Sequence, residues 1–581
     1  MTTFDAIDAG TTPAGLQDGA LLARRRRIVL ALNLALYLGL AIWLAAILGA
    51  GGWSALDFAF FVCFLIASPW AVLGFVNAAL GLWLSCFSRS GLQRTAPFLA
   101  AGDGDIPIRE RIAIVMTIRN EDPARAIARF ARMEAELSGT SDGGRFGWLL
   151  LSDTSDEAIS AAEERLVQEW RARRPDAAAR IHYRRRSDNA GFKAGNLVDF
   201  CAHHCDDYDS MLVLDADSFM RADAILRMAR ISAAHPRIGI LQSLVVGAPS
   251  SSAFARLFQF GMRAGMRSYT LGASWWTGDC GPFWGHNALV RIRPFLEDCK
   301  LPVLPGGPIL SHDQIEAALM RRAGYEVRVM PVETASFEEN PPDMVEFARR
   351  DTRWCQGNMQ YWRLLDLPGL LPISRFQLAW AISMFIGLPA SQALVALAAL
   401  KPFDAEPSAT FPTGSAIAFF AVYLAIGLAP KLAGYADVLF AREAHRYGGG
   451  FKFALGATME IVASFLLSAA TGFQTALYLL GLPFGGSLTW ASQRRDAAAV
   501  SWGDCARAFW LATLFGWCAL GLLAIGAPGA IPFALPFVAG QALAIPFAKY
   551  TASPRAGAFF VRRGVCATPE EIEGSLKLSA P

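Results

Sequence analysis

The sequence predicts an α/β domain placed between two groups of apolar helices that are long enough to span a membrane. Of the 581 residues, 54% are hydrophobic and only 18% are charged, which is little charge for a soluble chain of this length. Long uncharged runs lie towards both ends, whereas the part between them holds most of the charge and alternates strand and helix patterns. The net charge of +3 is too small to indicate a nucleic-acid partner. We therefore divide the chain into five regions. These are a cytoplasmic tail (1–27), two membrane helices (28–90), an α/β domain (95–370), a second membrane region with interfacial segments (371–550) and a second cytoplasmic tail (551–581).

The apolar segments predict the topology of the membrane region. Residues 28–50 and 58–87 form the N-terminal pair, and the four arginines that end at Arg27 place the N-terminus in the cytoplasm. Basic linkers and a basic C-terminal tail place the other end on the same side, so the number of crossings is even. We expect eight crossings, with 453–483 folded as a tight pair of helices; the alternative is an interfacial or re-entrant segment there, which gives six. The apolar segments after the α/β domain are 376–400, 415–440, 453–483, 508–526 and 528–548.

The α/β domain is predicted from short apolar runs that alternate with helical patterns. The strands are expected at 112–117, 148–151, 181–183, 211–214 and 238–241, and the helices at 123–137, 155–171, 193–204 and 221–234. This alternation favours a mostly parallel sheet with helices on both faces. Ligands bind at the carboxyl ends of the strands in such sheets, so residues that directly follow a strand are the candidate site residues.

Acidic and basic side chains follow three of these strands. Asp215 and Asp217 come directly after 211–214, and two carboxylates at this spacing could hold a divalent cation, although Asp-x-Asp turns are also common in loops. Asp153 is a candidate contact for the base or ribose of a nucleotide, or else the N-cap of the next helix. Lys193 lies between glycines before a helix and could meet a diphosphate, which is a weak signal when it stands alone. Further donor-binding candidates follow the first strand: Thr117, Arg119 and Glu121.

Asp313 is the candidate general base. Formation of a glycosidic bond by single displacement needs a carboxylate that accepts the proton of the acceptor hydroxyl. Asp313 begins an amphipathic helix, so the alternative is a residue that only favours the helix dipole. His312 could tune this carboxylate or contact the acceptor.

Two aromatic segments are candidates for contacts with phosphate and sugar. Arg350 and Arg353 share one face of a helix that leads towards the membrane and could hold phosphate oxygens of the donor, while Trp354 could stack on an acceptor sugar. The alternative is an interfacial helix whose Arg and Trp side chains anchor at lipid headgroups. A second aromatic loop is expected at the acceptor end and contains Trp284, His286 and Asn287.

Several features lie outside the candidate site. Lys431 and Glu460 fall in or near apolar spans and could line a polar passage or snorkel to the interface. The Cys201–Cys205 segment resembles a metal cluster but fits better as part of a helix. Residues 1–20 and 566–581 are predicted to be flexible tails.

Four of these motifs resemble those of processive family 2 glycosyltransferases such as cellulose and hyaluronan synthases. They are Asp153, Asp215-Ala-Asp217, Ser311-His-Asp313 and Arg350-Asp-Thr-Arg-Trp354. His before the third Asp and Arg350 in place of the usual Gln depart from the general pattern. Both departures, with residues 283–287, 337–342 and 353–358, resemble the glucans biosynthesis glucosyltransferase H family.

This resemblance implies an α/β GT-A (Rossmann-like) glycosyltransferase domain that uses UDP-glucose and a divalent cation, Mg²⁺ or Mn²⁺. It also implies an inverting, processive enzyme of the bacterial inner membrane that makes the β-1,2-glucan backbone of osmoregulated periplasmic glucans. The expected partners are the growing glucan chain, membrane lipid and periplasmic glucan-processing proteins. The alternatives are another family 2 polysaccharide synthase such as a cellulose-like one, a lipid-linked sugar transferase, and a non-catalytic transporter that senses nucleotide sugars.

Overall fold

The computed structural model describes residues 17–104, 106–305, 307–404, 411–485 and 498–576. The helices, in chain order, are α1 Gly19–Leu48, α2 Ala55–Leu82, α3 Gly91–Thr95, α4 Pro123–Ser138, α5 Glu157–Arg173, α6 Phe192–His204, α7 Ala222–Ala234, α8 Ala253–Thr277, α9 Ile292–Asp298, α10 Asp313–Arg322, α11 Met344–Met359, α12 Pro372–Leu400, α13 Thr413–Phe440, α14 Gly450–Gly481, α15 Trp502–Gly526, α16 Ile531–Ala542, α17 Ala544–Thr551, α18 Pro554–Arg563 and α19 Pro569–Glu573. The strands are β1 Ile112–Ile118, β2 Phe146–Ser152, β3 Ile181–Arg185, β4 Ser210–Asp215, β5 Phe219–Met220, β6 Ile238–Gly247, β7 Ala288–Arg291 and β8 Glu326–Glu338.

The strands form one sheet in the order β3-β2-β1-β4-β7-β6-β8-β5. Strands β3, β2, β1 and β4 are parallel, as the alternating pattern predicts. The other half is mixed, because β7 runs antiparallel to both of its neighbours and β5 pairs antiparallel with β8. In the register, Thr117 of β1 lies opposite Asp215 of β4, and Ile118 lies opposite Ser152 of β2. The carboxyl ends of the three strands therefore meet at one edge.

Apolar side chains fill both faces of this sheet. On one face Phe130 of α4 packs against Trp148 of β2 and Trp170 of α5, with all three rings buried. On the other face Phe200 of α6 belongs to a second core that reaches Ile382 in α12. This second core joins the α/β domain to the membrane helices, so the predicted fold class of an α/β domain with apolar helices is confirmed.

Within the described ranges, six helices are long and apolar enough to cross a membrane: α1, α2, α12, α13, α14 and α15. The bent pair formed by α16 and α17, with an angle of 62° between its halves, could be a further span. Because α14 is one continuous helix from Gly450 to Gly481, the predicted tight pair of helices and the eight crossings are wrong. Hydropathy alone could not separate one long helix from two short ones.

Helix α8 packs directly on α2 through two glycines. A Cβ at Gly81 would lie 1.7 Å from the Ser268 carbonyl oxygen, and one at Gly272 would lie 1.9 Å from that of Asn77. Neither position can carry a side chain without separating the helices. The α/β domain is therefore fixed to the N-terminal membrane helices by backbone-to-backbone contact.

The C-terminal segment is docked and not a flexible tail. Glu570 forms an ion pair with Arg263 of α8 at 2.7 Å, and Glu571 forms one with Arg256 at 2.5 Å. Cys566 is buried, and Thr568 and Glu571 form a capping box that starts α19. The predicted flexible tail is therefore wrong for 566–576, while 577–581 and 1–16 lie outside the described residues. The other predicted tail, 1–20, overlaps the start of α1, which already begins at Gly19.

Lys431 of α13 and Glu460 of α14 form an ion pair with each other. Tyr435 and Ser464 also donate hydrogen bonds to Glu460, which is 2% exposed. The pair borders a cavity between α8, α11, α14 and α17. Ionisable side chains at this depth usually face a pathway or one another, and the polar passage stays a prediction.

Candidate active site

One cavity at the carboxyl edge of the sheet gathers nearly all of the sequence-predicted site residues. They come from the ends of β1, β2 and β4, from the start of α6 and α10, from α11, and from the loop before β7. The lining includes Thr117, Arg119, Glu121, Asp153, Lys193, Asp215, Asp217, Trp284, His286, His312, Asp313, Arg350, Arg353 and Trp354. Because the lining residues are separated by up to 237 positions in the chain, from Thr117 to Trp354, only the fold brings them together.

The Asp215–Asp217 turn is held from two sides. The Asp215 backbone N–H donates to Ser218 Oγ at 3.0 Å, which closes the turn after β4. Arg129 of α4 donates to the Ala216 carbonyl oxygen at 3.3 Å and also forms an ion pair with Glu339. These contacts fix the backbone, so the two carboxylates are presented to the cavity at a set spacing.

The chemistry of this turn suits a hard divalent cation. Carboxylate oxygens are the ligands that Mg²⁺ and Mn²⁺ prefer. Lys193 forms an ion pair with Asp215, so a positive charge already lies against one carboxylate. Within the described residues, no group of three or more His, Cys, Asp and Glu side chains forms a metal site. Asp215 and Asp217 would therefore share an ion with oxygen atoms of a bound ligand.

Asp153 is a buried carboxylate with fixed orientation. Arg186 donates to both of its oxygens at 2.8 Å, and Asn196 of α6 donates to Oδ1 at 2.9 Å. The N-cap of α5 is Asp156, which accepts from the backbone N–H groups of the first turn at 2.9 and 3.0 Å. Asp153 is therefore not the cap of α5, and its contact with a nucleotide stays a prediction.

Asp313 is the first residue of α10 and borders the cavity. The turn at Gly285, which has a positive φ of 79°, approaches it so closely that a Cβ there would lie 3.4 Å from Asp313 Cβ. Burial raises the pKa of Asp313 above the ordinary value, the His312 imidazole opposes this shift, and the Glu316 carboxylate adds to it. A carboxylate with a raised pKa is a stronger base once it is ionised.

Helix α11 holds the segment that carries Asp313. Tyr361 donates its hydroxyl to the Ser311 carbonyl oxygen at 2.6 Å. Gln360 accepts from the Leu310 N–H at 2.8 Å and donates to the Pro308 carbonyl oxygen at 3.0 Å. The position of Asp313 is therefore set by α11 and the turn after it as well as by the sheet.

The same helix presents Arg350 and Trp354 to the cavity. The Arg350 guanidinium lies 4.7 Å from the centre of the Trp354 ring, a cation–π contact, and the ring is 48% exposed. Asp351 on the opposite side accepts a hydrogen bond from Thr475 of α14 at 2.8 Å. An exposed indole with a fixed orientation provides a flat apolar surface for a sugar ring.

The loop before β7 forms the facing wall. Gln242 of β6 accepts from the Trp284 N–H at 2.9 Å and donates to the His286 carbonyl oxygen at the same distance. His286 lies 3.4 Å from Glu338, which also borders the cavity. The loop is therefore positioned by Gln242 of β6 and Glu338 of β8, two strands of the mixed half of the sheet.

Asn287 does not belong to the cavity lining. It is fully buried, its side-chain amide donates to Ser336 Oγ at 2.8 Å and to the Phe337 carbonyl oxygen at 3.2 Å, and its φ is 51°. Its amide is thus used to hold the loop on β8. The predicted contact with an acceptor is wrong for this residue, because the positive φ turns the side chain into the sheet.

Comparison with known proteins agrees with this geometry. Residues 211–429 match the model of Glycosyl transferase family group 2. A glucans biosynthesis glucosyltransferase H of Xanthomonas euvesicatoria is 32% identical, over 99% of this chain and 95% of its own length. The chain belongs to the glucans biosynthesis glucosyltransferase H family. Its relatives from Vibrio cholerae and Cereibacter sphaeroides are 34% and 35% identical, over 90% and 88% of this chain and 74% and 89% of their own lengths.

A solved structure, the mannosyltransferase PcManGT from Pyrobaculum calidifontis in complex with GDP-Man and Mn²⁺, aligns with a TM-score of 0.39 and 16% identity. The alignment covers 63% of this chain and 98% of that one. The family assignment rests on the sequence relatives, which make this chain a glycosyltransferase of glucan biosynthesis with membrane helices.

Sequence reasoning missed several side chains of this glucosyltransferase site. Arg186 orients Asp153, and its signal was the basic run that directly follows β3. Glu338 borders the cavity within a motif that was noted only for its family likeness. Gln242 gave no signal, because it lies inside a buried strand pattern.

Proposed function

We propose that this chain is a processive, inverting glucosyltransferase of the bacterial inner membrane that uses UDP-glucose. Its product would be the β-1,2-glucan backbone of osmoregulated periplasmic glucans, passed across the membrane by the same chain to periplasmic glucan-processing proteins. The observation that carries the proposal is the single cavity lined by Asp153, Asp215, Asp217, Asp313 and Trp354, which come from separate segments. The proposed nucleotide-sugar site and the proposed sugar-binding surface would thus meet in one cavity.

The donor would lie along the carboxyl edge of the sheet. Asp153, held by Arg186, would accept hydrogen bonds from the nucleoside, and Lys193 and Arg353 would contact the diphosphate. Asp215 and Asp217 would hold Mg²⁺ or Mn²⁺, which when bound neutralises charge on the departing diphosphate. Thr117, Arg119, Glu121 and Arg350 complete the lining on the donor side.

Asp313 would act as the general base in a direct displacement. It takes the proton of the acceptor hydroxyl while that oxygen forms a bond to the anomeric carbon. The bond from the anomeric carbon to the β-phosphate oxygen breaks, and UDP leaves with that electron pair. Attack from the face opposite UDP inverts the configuration, so an α-linked donor gives a β-linked product.

The acceptor end of the glucan would rest between Trp284 and Trp354. Aromatic faces suit pyranose rings, and His286 and His312 border the same part of the cavity. Trp354 lies on α11, which is followed in the chain by α12, a helix long and apolar enough to cross a membrane. The growing chain would therefore leave its point of synthesis close to membrane lipid.

The contacts of α14 support six crossings with α14 at the membrane surface. Gly261 of α8 is packed against Glu460, about a third of the way along α14, and Asp351 of α11 is bound to Thr475 in its last third. Elements of the α/β domain thus touch α14 at two points in its length. With α14 at the surface and α16 and α17 as one span, both ends of the chain lie on the cytoplasmic side.

The test is incubation of the purified full chain with UDP-glucose and Mg²⁺ or Mn²⁺, followed by linkage analysis of the product. A soluble β-1,2-linked glucan together with UDP release is the expected result. Asp313→Asn should bind UDP but release none from UDP-glucose. A β-1,4 product would favour a cellulose-like synthase, and a single sugar on a polyprenyl phosphate would favour a lipid-linked sugar transferase. No UDP release from any nucleotide sugar would refute catalysis.

A further inference from the structure

His312, at the start of α10, lies close to two carboxylates, of which that of Glu316 is buried and that of Asp313 borders the cavity. Asp313 follows it in the chain, and Glu316 comes one helical turn later. His312 Nδ1 is 2.9 Å from Glu316 Oε2, and the side chains of His312 and Glu316 are 13% and 1% exposed. The sequence suggested two possibilities for His312, a contact with the acceptor or an influence on the neighbouring carboxylate. The geometry favours the second.

A carboxylate that is removed from water is unfavourable unless a positive charge lies beside it. Among the residues that the structure describes, His312 is the basic side chain that pairs with Glu316. Lys193 of α6 also lies near His312, but its ammonium group forms an ion pair with Asp215. The imidazole is therefore placed to supply the positive charge that Glu316 and Asp313 require.

We propose that His312, held by Glu316, is a positively charged positioning residue that keeps the Asp313 carboxylate ionised and directed into the cavity. This inference rests on the proposed role of Asp313 as general base. It gives a physical reason for a histidine directly before that aspartate. Glu316 fixes the ring, and the ring supplies the charge.

The electrostatics of the surrounding groups agree with this arrangement. Burial alone would lower the pKa of His312, but the Glu316 carboxylate beside the ring and the charge of Asp313 together raise it above the ordinary value. Lys193 acts against this rise. The histidine is therefore cationic over a wider pH range than a free imidazole.

The thiols and the phenol near the three residues stay neutral around pH 7. Burial raises the pKa values of Cys201 on α6 and Cys299 after α9, and it raises that of Tyr361 after α11. Arg350 and Arg353 of α11 line the same cavity and are permanently charged. Removal of the imidazole charge would thus leave Asp313 to take up a proton at a higher pH.

The test measures UDP release by the full chain as a function of pH, with UDP binding as the check for folding. His312→Asn and His312→Gln each replace one ring nitrogen with a neutral amide, whereas His312→Lys keeps a positive charge. In a neutral variant, the pH at which kcat/KM falls on the acidic side should rise by about one unit. At a fixed pH on that side, kcat/KM should then be about tenfold lower than in the wild type. His312→Lys should keep the acidic limb near its original place. His203→Asn, at an exposed histidine of α6, is the matched control.

The outcomes separate this inference from the proposed function. A neutral variant that binds UDP and has an unchanged acidic limb overturns the inference, as does an equal loss at every pH in the neutral and lysine variants alike. The equal loss would indicate a purely structural or acceptor-binding role. Asp313→Asn is measured alongside. If that variant still turns over, the proposed base itself is wrong, whatever His312 does.

Discussion

Gly357 is the point where α11 touches the segment that carries Asp313, and Gly357→Ala should separate stability from activity. A Cβ added there would lie 2.1 Å from Ser311 Oγ, 2.8 Å from Ser311 Cβ and 2.8 Å from its backbone nitrogen. Atoms cannot remain at such distances, so either α11 or the Ser311 segment must move. Tyr361 binds the same segment from the next turn, so the displacement is passed on to Asp313.

The expected effect on stability is small. Alanine is better than glycine in a helix interior by about 1 kcal/mol, while overpacking costs roughly 1–3 kcal/mol. The free energy of unfolding should therefore fall by at most about 2 kcal/mol, and the variant should fold. Displacement of a reacting group by about 1 Å costs about 100-fold in rate, so kcat should fall by one to two orders of magnitude.

The assay is UDP release from UDP-glucose, measured together with thermal unfolding in detergent. Gly427→Ala in α13 is the matched control, because a Cβ there meets nothing within 4 Å, and it should leave kcat unchanged. Ser311→Gly combined with Gly357→Ala should restore part of the activity, since it removes Oγ and Cβ but leaves the backbone nitrogen in the way. Wild-type kcat in Gly357→Ala would refute the idea that α11 positions Asp313.

Three further substitutions test other parts of the structure. Asp217→Asn should abolish transfer, because one of the two carboxylates proposed for the cation becomes neutral; UDP release within twofold of wild type at saturating Mg²⁺ or Mn²⁺ would contradict this. Asp313→Asn should raise the melting temperature at neutral pH even though it inactivates the enzyme. The raised pKa of Asp313 means that its ionisation costs stability above the ordinary carboxylate pKa, and asparagine removes that cost; a lower melting temperature would contradict the assigned burial. Glu570→Ala should lower the free energy of unfolding by about 3 kcal/mol, because Arg263, 4% exposed, keeps only Glu333; an unchanged melting temperature would show that the C-terminal segment is not docked.

Local patterns were enough to predict five of the eight described strands and most of the candidate site, but not β5, β7 and β8. A strand that is buried on both faces gives a short run such as 211–214, and the residues after it must lie at the carboxyl edge of a parallel sheet. The shared edge is therefore sufficient to predict that Asp153 and Asp215 lie in one cleft. The roles of these residues remain predictions until activity is measured.

Contacts between distant segments could not be predicted in this way. Nothing in the sequence around Gly357 indicates that glycine is required there. The requirement comes from contact with Ser311, which lies 46 positions earlier in the chain. Glu570 and Glu571 resemble a solvated tail until the fold brings Arg263 and Arg256 against them, more than 300 residues away in sequence. The same limit explains Asn287, whose side chain is directed by a backbone φ that the sequence does not reveal.

Helix α11 is the element that joins these observations. Arg350 and Trp354 border the cavity, Asp351 is bound to α14, and Gly357 and the turn after it hold the segment that carries Asp313. A packed helix moves as a unit, because its backbone hydrogen bonds do not allow one turn to shift without its neighbours. The ring proposed to bind sugar, the proposed base and the contact with α14 therefore cannot be displaced independently. The glucan proposed to rest on Trp354 would thus be placed by the same rigid element that places the proposed base.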